Sequence, residues 1–171
     1  LRLFLALEPP DELRQRLGEL ADTARARCGG RRMPDDSLHL TLAFLGEVAE
    51  ERAAALAAWV GERPIPTGEW RLDAWGTFRR PGIVWVGGQT PDPELVLLHG
   101  SLWDELAAFG FDHRPGHFVP HVTLLRRARR LETQCLPAID LAWPWRRLSL
   151  VRSFTEDDGA RYQTLARSPV A

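Results

Sequence analysis

The sequence predicts an α+β fold of two pseudo-symmetric lobes, and three observations lead to it. Short apolar runs of strand length alternate with amphipathic stretches of helical period. The order strand, helix, polar loop, strand occurs twice. Each occurrence ends in the same tripeptide pattern, His39-Leu40-Thr41 in the first and His121-Val122-Thr123 in the second. The spacing from Leu3 to His39 is 36 positions and that from Val84 to His121 is 37, as an internal duplication requires.

The elements follow in order. Leu1-Arg2-Leu3-Phe4-Leu5-Ala6-Leu7 reads as a buried strand. Glu8-Pro9-Pro10-Asp11 stops it and starts a helix, because proline is tolerated in a first helical turn. Leu13, Leu17 and Leu20 give that helix one apolar stripe. A polar loop over 28–36 leads to a strand over 38–45, closed by Gly46, and an Ala-rich helix over 50–62 ends at Gly61 and Pro64. In the second half Ile83-Val84-Trp85-Val86 is a strand, and Pro91-Asp92-Pro93-Glu94 opens a helix running to 109. A loop rich in Gly, Pro and His over 110–120 then leads to a strand over 121–125. The tail adds strands over 145–152 and 161–166, joined by a turn at Glu156-Asp157-Asp158-Gly159. No linker or low-complexity segment interrupts the chain, so 1–171 is expected to be a single domain.

Composition excludes several classes. At 171 residues, 44% hydrophobic and 26% charged, this is ordinary globular composition. No apolar run is long enough to span a bilayer and no charged-then-apolar leader opens the sequence, so a cytoplasmic protein is expected. The two cysteines, Cys28 and Cys135, lack the spacing of a disulfide framework or a zinc site. A net charge of −1 does not advertise nucleic-acid binding, but all 22 basic residues are arginine, the better bidentate partner of phosphate.

On a strand, side chains at i and i+2 point the same way. Leu38, Leu40, Leu42 and Phe44 therefore form one face of the first signature strand, expected in the core, while His39 and Thr41 share the other. In the second copy Val122 and Leu124 face inward and His121 and Thr123 outward. A lone His on a strand is usually structural; two equivalent pairs on a duplicated unit are a site. If the lobes face each other across a groove, two imidazoles flank one reacting centre and two hydroxyls hold its oxygens. That suits in-line displacement at a phosphodiester, with one neutral His as base and one protonated His as acid.

These stretches, Leu38-His39-Leu40-Thr41-Leu42-Ala43-Phe44-Leu45-Gly46 and Phe118-Val119-Pro120-His121-Val122-Thr123-Leu124-Leu125-Arg126, resemble the paired signatures of the two-histidine (2H) phosphoesterase superfamily. The branch resembled is the RNA 2′,3′-cyclic phosphodiesterases, historically called 2′-5′ RNA ligases. The resemblance extends to Arg2-Leu3-Phe4, Gly82-Ile83-Val84-Trp85, and the tail with Gly159 and Tyr162. It implies antiparallel sheets with outer helices around a central groove, and hydrolysis of an RNA 2′,3′-cyclic phosphate end to a 2′-phosphate. It further implies His39 as general acid, His121 as general base, Thr41 and Thr123 as phosphate-binding residues, and neither metal nor cofactor. The partner implied is RNA with a cyclic phosphate terminus, transfer-RNA fragments included, acted on by a monomer. ATP-independent 2′-5′ ligation of tRNA halves in the same site is an alternative, and a non-catalytic RNA-binding module is a second.

Other residues are weighed beside these. Arg126 lies five positions after His121, an odd offset that points away from the site on a regular strand, yet the resemblance makes it a candidate phosphate or RNA contact. Arg31 and Arg32, in the loop before the first signature, are candidate RNA contacts. His113, His117 and His121 are spaced by four, but Pro115, Gly116 and Pro120 forbid the helix that would make them a metal site. His117 is placed at the groove rim and His99 is read as structural. Trp70, Trp75, Trp85, Trp143 and Trp145 are read mainly as core.

Overall fold

The computed structural model describes residues 1–157 and 159–170. One four-stranded sheet has the order β10-β9-β1-β3, built from β1 (Arg2–Leu7), β3 (Leu40–Glu47), β9 (Ser149–Glu156) and β10 (Gly159–Arg167). A second has the order β2-β7-β6-β5, from β2 (Arg31–Arg32), β5 (Ala74–Phe78), β6 (Ile83–Gly87) and β7 (His121–Arg126). A two-stranded ribbon pairs β4 (Gly68–Leu72) with β8 (Leu141–Trp145). All of these pairings are antiparallel.

Three helices cover the sheets: α1 (Asp11–Cys28), α2 (Glu50–Glu62) and α3 (Pro93–Ala108). Acidic residues open α1 and arginines close it, as the helix dipole favours. Asp92 caps α3 by accepting from the backbone N–H groups of Glu94 and Leu95, with Pro93 behind it in the first turn. The helices tie the two sheets together. Leu13, Leu17 and Ala21 of α1 join one continuous core with Leu3, Leu5, Leu40, Val86 and Val122, which come from both sheets. Further along α1, Ala24 and Cys28 pack on Val84 and Leu125 of the second sheet. The site-bearing strands β1, β3, β6 and β7 are therefore all anchored from behind by buried apolar side chains, which fixes their registers.

The pairing corrects the spacing argument for duplication. Leu5 lies opposite Ala43 and Val84 opposite Leu125, each partner four residues past a signature His. The residue equivalent to Val84 is thus Leu5 and not Leu3, and the two lobes differ in loop length by more than the near-equal spacing suggests.

Four strands escape the apolar patterning. β4 and β5 are broken by Gly68, Glu69, Arg71 and Gly76, and they are strands because β8 and β6 supply partners. β2 is only two residues long, and β8 carries Pro144. The strand expected over 145–152 is split: Trp145 ends β8 opposite Gly68, and β9 starts at Ser149 opposite Ala6. The turn expected between β9 and β10 includes Asp158, which lies outside the described residues.

Candidate active site

The site begins with how β3 and β7 bend. On β3, Ala6 pairs with Thr41 and Leu5 with Ala43, so Leu42 has no opposite residue and forms a bulge. On β7, Trp85 pairs with Thr123 and Val84 with Leu125, so Leu124 is the extra residue. Both bulges fall three residues after the signature His. Each shifts the alternation by one, burying two consecutive residues: Leu42 and Ala43 in the first copy, Leu124 and Leu125 in the second. The residue five past each His is thereby turned back to the His face.

This corrects two expectations at once. Phe44, assigned to the core, is 46% exposed and lines the groove. Arg126, whose odd offset pointed it away, lines the same groove with His121 and Thr123.

That groove has a volume of about 400 Å³ and brings His39, Thr41, His121 and Thr123 together between the lobes. Both imidazoles are held in the same way. His39 Nδ1 lies 2.7 Å from the carbonyl oxygen of Ser37, and His121 Nδ1 lies 2.7 Å from that of Val119, each two residues upstream. A carbonyl only accepts, so each Nδ1 carries the proton and donates it. Each Nε2 is left unprotonated in the neutral ring. In the first copy the Thr41 hydroxyl donates to His39 Nε2 at 2.7 Å.

The rings differ in their surroundings. His39 stacks on Phe4, with centroids 4.8 Å apart, and meets the edge of Tyr162 at 5.4 Å. His121 meets Phe78 edge-on at 5.1 Å and lies 5.7 Å from Trp85. Trp85 lies flat because Gly76 opposite it has no side chain; a Cβ there would come within 2.1 Å of the indole.

Burial against these rings pushes His39 down to about 4, with the neighbouring His121 adding to the effect and the Ser37 carbonyl opposing it. His121 is also lowered, first by burial and then by Arg126, against the pull of the Val119 carbonyl. Both imidazoles are therefore neutral in the free protein at pH 7. Burial also raises the Tyr162 phenol.

The two loop arginines part company. Arg31 lines the groove, brought there by pairing of β2 with β7 opposite Arg126. Arg32 is held elsewhere: its guanidinium binds Asp22 at 2.6 Å, Asp35 at 2.7 Å and the Gly18 carbonyl at 2.9 Å, which makes it a brace between α1 and the loop. The His113 ring donates to the Phe44 carbonyl, 2.9 Å away, and His117 lines a neighbouring cavity with His121. His99 is buried. Among the described residues, no group of three or more His, Cys, Asp or Glu is placed to share a metal ion. Trp70, Trp143 and Trp145 are buried, and Trp75 and Trp85 half-buried.

Among the groove residues that received no role from sequence are Arg2, Phe78 and Tyr162. Arg2 and Tyr162 stand on strands β1 and β10, far apart in sequence from both signatures, and only the sheet order joins them to His39. Phe78 ends a strand that the pattern did not reveal.

Two antiparallel lobes presenting paired His-x-Thr sites to one groove define a two-histidine phosphoesterase. Within that class the chain belongs to the 2′-5′ RNA ligase superfamily, whose family model matches residues 9–155. It is 34% identical over 166 residues to the RNA 2′,3′-cyclic phosphodiesterase of Escherichia coli, covering 97% of this chain and 94% of that protein. To the RNA 2′,3′-cyclic phosphodiesterase of Thermus thermophilus it is 32% identical over 177 residues, covering 98% and 89%. The fold matches the crystal structure of E. coli LigT complexed with 3′-AMP with a TM-score of 0.80 at 32% identity, over 97% of this chain and 95% of that one.

Proposed function

We propose that this protein hydrolyses the 2′,3′-cyclic phosphate at an RNA 3′ end to a 2′-phosphate, using His39 as general acid and His121 as general base. The observation that carries the reading is the matched anchoring of the two rings, each Nδ1–H held by a carbonyl two residues upstream. Anchoring of this kind fixes the tautomer and aims a single reactive nitrogen at one centre. The names of the relatives support the substrate.

The step balances without a metal. Neutral His121 takes a proton from water as its oxygen attacks phosphorus. The P–O3′ bond breaks in line, and the departing 3′-oxygen receives the His39 proton. The product is a 2′-phosphate with a free 3′-hydroxyl, and the two imidazoles are left with their protonation exchanged until solvent resets them. The Thr41 and Thr123 hydroxyls donate to the non-bridging oxygens as charge builds there. Thr41 must first release His39 Nε2, which the incoming anion induces by supplying a better acceptor. Arg126 and Arg31 hold the phosphate and the strand leading to it.

The superfamily's description favours a second reading in the same site. A 5′-hydroxyl in place of water, with the reaction run through the same two His, gives a 2′-5′ bond, as between tRNA halves. Both signatures come from one chain, which supports a monomer as the working unit and residues 1–171 as one domain.

The test is turnover of an oligoribonucleotide ending in a 2′,3′-cyclic phosphate in the presence of EDTA, with and without a 5′-hydroxyl partner strand. Cyclic-phosphate opening without the partner is the expected result. Joined product alone favours ligation, and activity that requires added metal contradicts the mechanism.

A further inference from the structure

Three arginine clusters far apart in sequence meet at one end of the second lobe. Arg25 and Arg27 stand in the last turn of α1, Arg79 and Arg80 in the turn joining β5 to β6, and Arg127, Arg129 and Arg130 in the loop after β7. Backbone contacts hold the three segments together. The Cys28 carbonyl at the end of α1 accepts from the N–H groups of Arg129 and Arg130, at 2.9 and 3.0 Å, and the Gly82 carbonyl of the hairpin turn accepts from that of Ala128 at 2.9 Å. Arg127 starts the loop with a φ of 54°, a left-handed conformation that residues other than glycine seldom take. All seven arginines are exposed, and among the described residues none of them pairs with a carboxylate. The stretches 23–34, 74–91 and 126–131 contain no Asp or Glu, and Glu132 is the single acidic residue of the loop before Asp140. A chain of net charge −1 therefore carries one strongly cationic face.

That face begins where the groove ends. Phe78 and Arg126 line the groove, and the next residues in the chain are Arg79 and Arg127. The first copy of the duplicated unit has no counterpart. Eight residues past its His the second copy has Arg129 and the first has Glu47, with Glu50 and Glu51 close behind. Charge thus distinguishes two lobes that otherwise match, and it gives a polyanion seated in the groove one direction in which to leave. No aromatic residue of these stretches is exposed, so the face offers guanidinium groups to phosphates and no platform on which bases would stack. An RNA that ends in a 2′,3′-cyclic phosphate has all its other phosphates on the 5′ side of that end. We infer that this face of the second lobe binds the phosphate backbone of the RNA on the 5′ side of the cyclic end, so that the protein selects ends carried on a polymer over free cyclic nucleotides. This rests on the phosphodiesterase reading and adds to it the path and the length of the substrate. Phosphates neutralised in this way release counterions, so the selection is strongest at low salt and does not depend on base sequence.

The experiment compares kcat/KM for an oligoribonucleotide of about 16 nucleotides ending in a 2′,3′-cyclic phosphate with that for a nucleoside 2′,3′-cyclic phosphate, over a range of salt concentrations. At low salt the wild type is expected to prefer the oligonucleotide by about ten-fold or more, and the preference falls as salt rises. The paired variants R79Q/R80Q and R129Q/R130Q are each expected to raise KM for the oligonucleotide, to reduce the slope of its salt dependence by about one to two, and to leave turnover of the cyclic nucleotide unchanged. A wild-type ratio near one, or an oligonucleotide KM and salt slope that both variants leave intact, overturns the inference. A binding readout separates this from failure of the phosphodiesterase reading. Fluorescence anisotropy of the same oligonucleotide ending in a 2′-phosphate should rise on binding to the wild type and much less with R129Q/R130Q; an equal rise in both overturns the inference whatever the turnover. Binding to phosphatidylserine vesicles without binding to the RNA assigns the face to a membrane surface and overturns it as well. Absence of turnover with the RNA-binding difference intact counts against the hydrolase alone.

Discussion

Charging His39 is the step at which the geometry makes its most quantitative demand. The ring is enclosed by Phe4 and Tyr162, and burial holds it at about 4, some 2.5 below its ordinary 6.5. At about 1.36 kcal/mol per pH unit, the imidazolium in the free protein is disfavoured by roughly 3 kcal/mol relative to one in water. The acid role requires that this cost be offset when substrate arrives. A phosphodiester monoanion about 4 Å from the ring stabilises the cation by roughly 4 kcal/mol at an effective dielectric of about 20, or about three pH units. The bound midpoint should therefore rise to about 7. The assay is an NMR titration of the His39 ring protons, free and saturated with a nucleoside 2′-phosphate, with H39Q used for assignment. A free midpoint near 4 that moves up by two units or more on binding is expected. A free midpoint near 6.5, or a midpoint that ligand leaves in place, refutes the argument that the substrate itself loads the acid. The same logic orders the rate profiles. With both imidazoles lowered in the free enzyme, kcat/KM should peak below pH 6.5, while the kcat profile, set by the bound state, lies at higher pH.

Other outcomes follow from single side chains. H39A and H121A should each lower kcat by about 10²–10⁴-fold without changing the melting temperature of the fold by much, measured on cyclic-phosphate RNA and by thermal denaturation. Loss of only a few-fold from either contradicts the pairing of roles. R126Q should raise KM for cyclic-phosphate substrates by about ten-fold, because a charge-assisted contact to phosphate is worth roughly 1.5–3 kcal/mol, and should lower kcat less. R32Q should lower stability and leave KM nearly unchanged, since that guanidinium is spent on Asp22, Asp35 and the Gly18 carbonyl. Glu8 ties the ends of three strands together by accepting from Thr164, Arg167 and Ser149. Burial alone would raise its carboxyl, but those hydrogen bonds outweigh burial and hold it below 4.5. A lowered folded value means its contribution is present above pH 4.5 and lost as pH falls through that lower value. E8Q should therefore cost about 1–2 kcal/mol in denaturant unfolding at pH 7, and the difference from wild type should shrink at strongly acid pH.

The signature residues were legible in the sequence because both chemistry and packing mark them. Each His-x-Thr pair sits on a run whose apolar neighbours fix the face, and the run occurs twice. The helices were legible for a similar reason, and the α2 range was read to the residue. What escaped depends on pairing across the chain. Phe44 was misread, and Arg126 was reached only through the family resemblance, because a bulge is a relation between two strands, invisible when one strand is read by alternation alone. A missing residue opposite Leu42 and Leu124 turns both side chains away from the face that alternation gives them. β4, β5 and β8 are strands through their partners more than through their own pattern. Arg31 and Arg32 look identical in sequence, yet a two-residue strand turns one to the groove and the other to α1.

Two imidazoles opening a cyclic phosphate by expelling the 3′-oxygen are the centre of this mechanism. The measurement closest to it is ³¹P NMR of the product formed from a nucleoside 2′,3′-cyclic phosphate in H₂¹⁸O with EDTA present. The expected product is a 2′-phosphate carrying one solvent-derived ¹⁸O, formed by the wild type and not by H39A or H121A within the same time. A 3′-phosphate product, or product formation undiminished in either variant, contradicts the mechanism.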